Sequence, residues 1–328
     1  MRILFWGPTI GHCNVTSSML AVGATLAQKH MQSTAMLQVQ LKDKDLQEVM
    51  LGRNAGNVDD AVNEAAGIDV LIRRCSSGNV GIDSVLSCAL PFFRKKLNII
   101  PSTKKTDKNV YEQELIDALN PTLIAMDNAF SYTLVDVGSG HNKITSELLK
   151  EADLIVVCID QNTKTLNHLF TKYKLNPDQV FFLMTKYDKD LQLSVRNVMA
   201  MYKQVVQKGK IGTIPYSVGY ANALNSKDVA KFFMANINTD KTSSCKDFIT
   251  AVDKTTTSIM QCSEDVKNKF HLHETQYRRQ AWFVLAASIL YLRVVGYNPV
   301  LEGFFYRSQI HRQVVLFRSW FTGSANSS

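Results

Sequence analysis

The sequence predicts an α/β fold: a mostly parallel β-sheet with helices on both faces, plus a C-terminal helical extension. Three observations carry this expectation. The chain opens as strand, small-residue loop and helix. Strand-like and helix-like stretches then alternate over about residues 2–236, the pattern of parallel strands joined by crossovers. Finally, the run from Leu154 to Ile159 is apolar without alternation, as in a central strand covered on both sides.

The elements follow in order. Arg2 to Trp6 is a short apolar run stopped by Gly7-Pro8, which reads as a buried strand. Residues 7–18 are rich in small and polar side chains. The apolar residues from Met19 to Leu26 recur at helical spacing, and Thr16, Ser17 and Ser18 supply the N-cap or first turn of that helix. Loop N–H groups and a helix N-terminus thus come together, a geometry suited to holding phosphate. Residues 33–41 read as the second strand. Residues 57–94 read as mostly helical, interrupted at Gly67-Ile68-Asp69 and Asn79-Val80-Gly81. Leu97 to Ile100 is a short strand stopped by Pro101. Lys104, Lys105 and Lys108 make a charged loop, read as a solvated turn because no aromatic stacker is interleaved.

A helix follows over residues 111–129, with a bend expected at Pro121. Residues 132–140 form a strand that reaches Asp136 and runs into Gly138-Ser139-Gly140. Beyond it the pattern gives a helix at 143–151, a strand at 154–159 and a helix at 167–173. A strand at 179–188, a helix at 191–207, a short strand at 210–217 and a helical ending at 227–235 complete the alternation. Residues 246–269 read as a polar helix.

Charge and cysteine usage narrow the function classes. The formal net charge is +8, but through His273 there are 31 Lys+Arg against 27 Asp+Glu, whereas the last 55 residues hold 6 against 2. A near-neutral body argues against a nucleic-acid partner. The six cysteines never occur as Cys-x-x-Cys, so neither a zinc site nor a redox pair is expected, and buried free thiols are. The opening carries no charged n-region, apolar h-region and cleavage site, so a cytoplasmic protein is expected.

The opening layout resembles the ParA/MinD family of P-loop ATPases, whose loop reads Lys-Gly-Gly-x-Gly-Lys-Thr-Thr. Setting Thr16 and Ser17 on the final pair puts Val15 at the phosphate-binding lysine and Ile10 at the family's signature lysine. Of the three glycines only Gly11 remains, although Asn14 tolerates a left-handed backbone. The family's second strand ends in Asp-x-Asp, where this chain has Gln40 and Lys42. Asp43 and Asp45 lie close by, and a slipped alignment would put one of them there. Asp136 matches the aspartate that reaches magnesium. Thr185-Lys186-Tyr187-Asp188 resembles the base-side Asn-Lys/Arg-Tyr-Asp motif with Thr185 for the asparagine, and Ile214-Pro215-Tyr216 matches the family's Ile-Pro-Tyr.

The resemblance spans some two-thirds of the chain. It implies a P-loop NTPase-fold domain at residues 1–245 and a helical, basic-aromatic extension at 246–328. It implies ATP with Mg2+ as cofactor, with Gly11, Asn14, Thr16 and Ser17 on phosphate, Thr185 and Pro215 on the base side, and Thr16 and Asp136 on the metal. A lysine acts on phosphate as a point charge that valine cannot supply. The implied enzyme is therefore a weak or inactive ATPase, and no catalytic residue is assigned. The degenerate loop, with Gly67-Ile68-Asp69, Ile100-Pro101 and the run from Asp136 to Gly140, looks closest to the pilus-associated (CpaE/TadZ-like) branch. That likeness implies a partner-binding localisation or assembly factor, a homodimer with protein partners in a pilus or secretion assembly. Two alternatives stand beside it: an active Mg-ATP-dependent dimeric ATPase using a lysine from its partner subunit with Asp43 or Asp45 as the acid, and a DNA-partitioning ATPase.

From residue 271 the composition changes, with six arginines and no lysine from residue 274 onward. Residues 282–292 are strongly apolar, but eleven residues make only about 16 Å of helix, half of a hydrocarbon core. Three readings compete: a helix packed on its own domain or across a dimer, a membrane-surface helix at the inner face of the cell membrane, or a segment foreign to the fold. In the second, residues 274–328 make peripheral membrane contact through Trp282, Phe283, Phe304, Phe305 and Trp320.

Overall fold

The computed structural model describes residues 1–41, 46–51, 66–238 and 245–269. Its strands are β1 (Arg2–Gly7), β2 (Thr34–Gln38), β3 (Leu90–Phe92), β4 (Leu97–Ile100), β5 (Tyr132–Ser139), β6 (Leu154–Ile159), β7 (Val180–Tyr187) and β8 (Ile211–Pro215). They form one sheet in the order β3-β4-β2-β5-β1-β6-β7-β8. Every pairing is parallel except β3 with β4.

Five helices cover one face of the sheet: α1 (Val15–Gln28), α2 (Leu46–Leu51), α9 (Val218–Ser226), α10 (Val229–Asn236) and α11 (246–269). The other face carries α3 (Ile68–Ser76), α4 (Ile82–Cys88), α5 (Lys108–Ala129), α6 (Lys143–Lys150), α7 (Thr163–Lys172) and α8 (Val195–Met201). The side-chain alternation of the strands divides the core accordingly. In β1, Ile3 and Phe5 join the first layer while Leu4 and Trp6 join the second. In β6, Leu154, Val156 and Cys158 go one way, and Ile155, Val157 and Ile159 the other. Burial on both faces explains why β6 shows no polar alternation. All the strands and helices belong to one compact unit, Met1–Lys267, apart from the last two residues of α11. Phe248, Val252 and Ile259 of α11 are buried in the first layer, so the polar helix expected there lays a narrow apolar stripe on the domain.

Several boundaries differ from the sequence reading. Residues 90–92, expected in a helix, form β3, because Pro91 cannot sit in a helix interior and pushes Leu90 into extended backbone. Helix α5 starts at Lys108 rather than in a solvated turn, because the Asp107 carboxylate accepts from Asn109 N and Val110 N. It continues unbroken through Pro121. Asn162 caps α7 through Lys164 N, starting that helix at Thr163. Strand β2 ends at Gln38, and α8 covers only Val195–Met201. Lys42, Asp43, Asp45 and residues 274–328, each given a role in the sequence reading, lie outside the described residues.

Each edge strand of the sheet carries one interruption to further pairing. Edge strand β3 carries Pro91, which has no N–H to offer. On β8, the outward Thr213 N donates to Thr255 Oγ1 of α11 at 3.1 Å, and the same hydroxyl donates to Thr213 O at 2.9 Å. Among the described residues no helix is long and apolar enough to cross a membrane, and no cluster of three or more His, Cys, Asp or Glu could hold a metal ion.

Topology then fixes where a ligand can enter. From β1 the chain leaves through α1 to β2, passing over β5. From β5 it leaves through α6 to β6 on the opposite side of β1. The C-terminal ends of β1 and β5 therefore flank the point where the winding reverses, the crevice of an open parallel sheet.

Candidate functional site

The loop between β1 and α1 lies at that crevice. Asn14 is the N-cap residue of α1 and is left-handed at φ 45°. Gly11 also has positive φ, 81°, with open space where a Cβ would stand. The loop is anchored from beneath. Gly140 N donates to Gly7 O at 2.9 Å, and Trp6 Nε1 donates to Gly140 O at 2.6 Å, tying the end of β1 to the turn after β5. A Cβ on Gly7 would overlap that of Cys13 and stand 2.8 Å from its Sγ, so the loop folds directly back over the strand end. The Cys13 thiol donates to Thr9 O at 3.2 Å, and burial pushes its pKa up to about 11.

The first turn of α1 meets β5. Thr16 Oγ1 donates to Asp136 Oδ2 at 2.5 Å, and Gly138 N donates to Asp136 Oδ1 at 2.8 Å. Asp136 is buried. Gly138 has φ 74°, a backbone conformation that favours glycine, and the Gln40 side-chain amide lies over it where a Cβ would stand. Gln40 lies two residues beyond the end of β2, with an amide where the family resemblance implies a carboxylate.

An open cleft of about 800 Å³ lies over these elements. The loop and α1 line it with Gly11, Asn14, Thr16 and Ser17, joined by Gln40 and by Lys108 of α5. Thr185 and Pro215 are placed apart from this cleft. They line a smaller hollow of about 90 Å³ that shares Asn14 and Ser17 with it. Asn14 Nδ2 donates to Thr185 Oγ1 at 3.4 Å, while the Thr185 hydroxyl donates to Ile159 O at 3.2 Å. All seven residues singled out from sequence therefore form one connected constellation.

Two contributors were missed. Tyr220 of α9 donates its hydroxyl to Ser17 O at 2.6 Å, and its ring stacks on Phe248 at 4.8 Å between centroids. Burial pushes the Tyr220 phenol far up. No local signal marks a tyrosine 203 residues away as a support for the loop. Lys108 was assigned to a solvated turn, and the Asp107 cap three residues before an apolar position is the signal that would have placed it on a helix.

The residues fit a magnesium-bound phosphate in part. The Thr16 hydroxyl and Asp136 carboxylate are hard oxygen donors side by side, and Gly11 and Asn14 of the adjoining loop both adopt positive φ. Val15 is 4% exposed; it packs in the core layer and also lines the cleft, so an aliphatic side chain borders the site at the start of α1.

No family model matches the sequence, and no curated protein matches it. Solved structures match by fold. The ParA family ATPase of Chlorobium tepidum superposes with a TM-score of 0.58 at 12% identity, covering 78% of this chain and 98% of that one. MinD of Pyrococcus horikoshii, solved with Mg-ADP, gives 0.54 at 12% identity over 79% and 96%. The MinC:MinD complex of Aquifex aeolicus gives 0.54 at 14% identity over 80% and 96%. The fold is that of the ParA/MinD P-loop ATPases.

Proposed function

We propose that this chain is a ParA/MinD-like nucleotide-binding protein that holds Mg-ATP with weak or absent hydrolysis and acts by binding protein partners. The observation that carries the reading is the contrast at the start of α1. The Thr16–Asp136 pair is joined at 2.5 Å, while the adjoining Val15 borders the cleft with an aliphatic side chain where a lysine would be needed. In this reading Thr16 and Asp136 hold magnesium, Gly11, Asn14 and Ser17 hold phosphate, and Thr185 and Pro215 flank the base. Magnesium, when bound, offsets phosphate charge. Phosphoryl transfer needs further cationic stabilisation as charge shifts to the leaving oxygens, and Val15 supplies none.

The finer role we propose is a homodimeric localisation or assembly factor of the pilus-associated branch, cytoplasmic or peripheral at the inner face of the membrane, with residues 246–328 as its extension. MinD solved with MinC is a precedent for a protein partner on this fold. The decisive experiment pairs calorimetric titration of Mg-ATP with a phosphate-release assay. Binding without appreciable turnover supports the proposal. Turnover abolished by Asp136→Ala replaces it with the active-ATPase reading, and no binding removes both.

A further inference from the structure

We propose that Lys108, assisted by the Tyr111 hydroxyl, supplies from α5 the anion contact that the loop lacks, meeting the terminal phosphate of a polyphosphate chain seated at residues 11–17. The inference rests on the nucleotide reading above and assigns the part of the ligand that α5 recognises.

Three features lead to it. The cleft that contains Gly11, Thr16 and Ser17 is also lined by the first turn of α5, through Lys108, Tyr111 and Glu112. Among the described residues Lys108 is the one lysine lining that cleft. Its side chain is 66% exposed and its ion pair with Glu112, one turn along, spans 3.7 Å. So loose a surface pair holds a lysine weakly, and the flexible four-carbon stem can carry the ammonium to a stronger anion.

The third feature is independent of charge. Tyr111 is 1% exposed, lines the same cleft, and its hydroxyl has no hydrogen-bond partner among the described residues. A buried donor left unmet is costly, and a phosphate oxygen accepting from it would remove that cost. Burial, reinforced by the nearby Asp69 and Glu112 carboxylates, keeps the phenol protonated and therefore a donor. The Asp107 cap fixes the turn that presents both side chains.

The test is calorimetry of the full chain with Mg-ATP, Mg-ADP and inorganic tripolyphosphate. Lys108→Gln should weaken Mg-ATP binding about ten- to hundredfold, the loss expected for one charge-assisted contact. Tripolyphosphate should weaken by a similar factor, and Mg-ADP by about threefold or less. Tyr111→Phe should weaken Mg-ATP binding while raising the melting temperature of the ligand-free protein, a pairing that a purely structural hydroxyl would not give. Lys150→Gln, on α6 and paired with Glu147, is the control and should change nothing. Equal affinity of wild type and Lys108→Gln for Mg-ATP overturns this inference and leaves the nucleotide reading standing. Equal loss for Mg-ADP and Mg-ATP overturns the terminal-phosphate assignment. No binding of any of the three by wild type overturns both.

Discussion

Gly7→Ala tests the path of the loop on which the whole site depends. An added Cβ would overlap that of Cys13, stand 2.8 Å from Cys13 Sγ and 3.0 Å from Ser139 Oγ. Two of these neighbours belong to a side chain that is fully buried and tied to Thr9 O, so the crowding cannot be relieved by a simple rotamer change. Either the loop lifts or β1 moves away from β5. Overpacking of this kind costs about 1–3 kcal/mol, and a unit of this size loses about 2–4 °C of melting temperature per kcal/mol. Cys13→Gly is destabilising in its own right through lost packing and added chain entropy. It also removes the side chain that the methyl added by Gly7→Ala would strike, so the double variant should be more stable than the sum of the two single losses allows. A coupling of about 0.5–3 kcal/mol is expected for side chains in direct conflict. Urea titrations of the four proteins supply the cycle. Strict additivity would show that residue 13 does not fold back over the strand end, and the cradle described above would be wrong.

Further expectations concern the supports of the site. Asp136→Ala should cost about 1–3 kcal/mol in chemical denaturation, because it removes an acceptor of Thr16 Oγ1 and of Gly138 N; Asp136→Asn, which keeps an acceptor for Gly138 N, should cost less, and the reverse order would contradict the geometry. Tyr220→Phe should cost about 1–2 kcal/mol by removing the bond to Ser17 O while leaving the stack on Phe248 in place; an unchanged urea midpoint would refute that support. Stability should fall as pH rises from about 9 toward 11. Burial raises the folded-state pKa of Cys13 from 9.0 to about 11 and also raises Cys158, Tyr111 and Tyr220. The unfolded chain then binds fewer protons than the folded one, so unfolding is favoured with each step upward; urea midpoints that stay flat between pH 8 and 11 would count against it.

The parts of this architecture written locally were legible, and those written at a distance were not. Apolar runs stopped by Gly or Pro placed β1 and β4, and an apolar run without alternation placed β6, because burial on both faces leaves such a run. The loop was legible because it directly follows its strand, whereas Asp136, expected at a strand end, lies inside β5, which runs on to Ser139. The β3 strand was missed even though Leu90-Pro91 announces it, because the surrounding residues share helical spacing. The supports behind the loop were harder. Tyr220 lies on α9, and nothing around it in sequence distinguishes a loop support from an ordinary core tyrosine. Lys108 is one of several lysines in a short stretch, and only the fold decides which of them faces the cleft. Val15 is the reverse case: its apolar character was plain from the sequence, but that it both packs in the core layer and borders the cleft had to be seen in three dimensions.

The sheet edges bear on how this protein can associate with itself. A proline on β3 and the Thr255 hydroxyl over Thr213 on β8 each interrupt the border strand that another chain would extend. Strand addition is thereby disfavoured at the described edges. A contact between copies through helical surfaces instead can be dissolved and re-formed without disturbing any main-chain pairing.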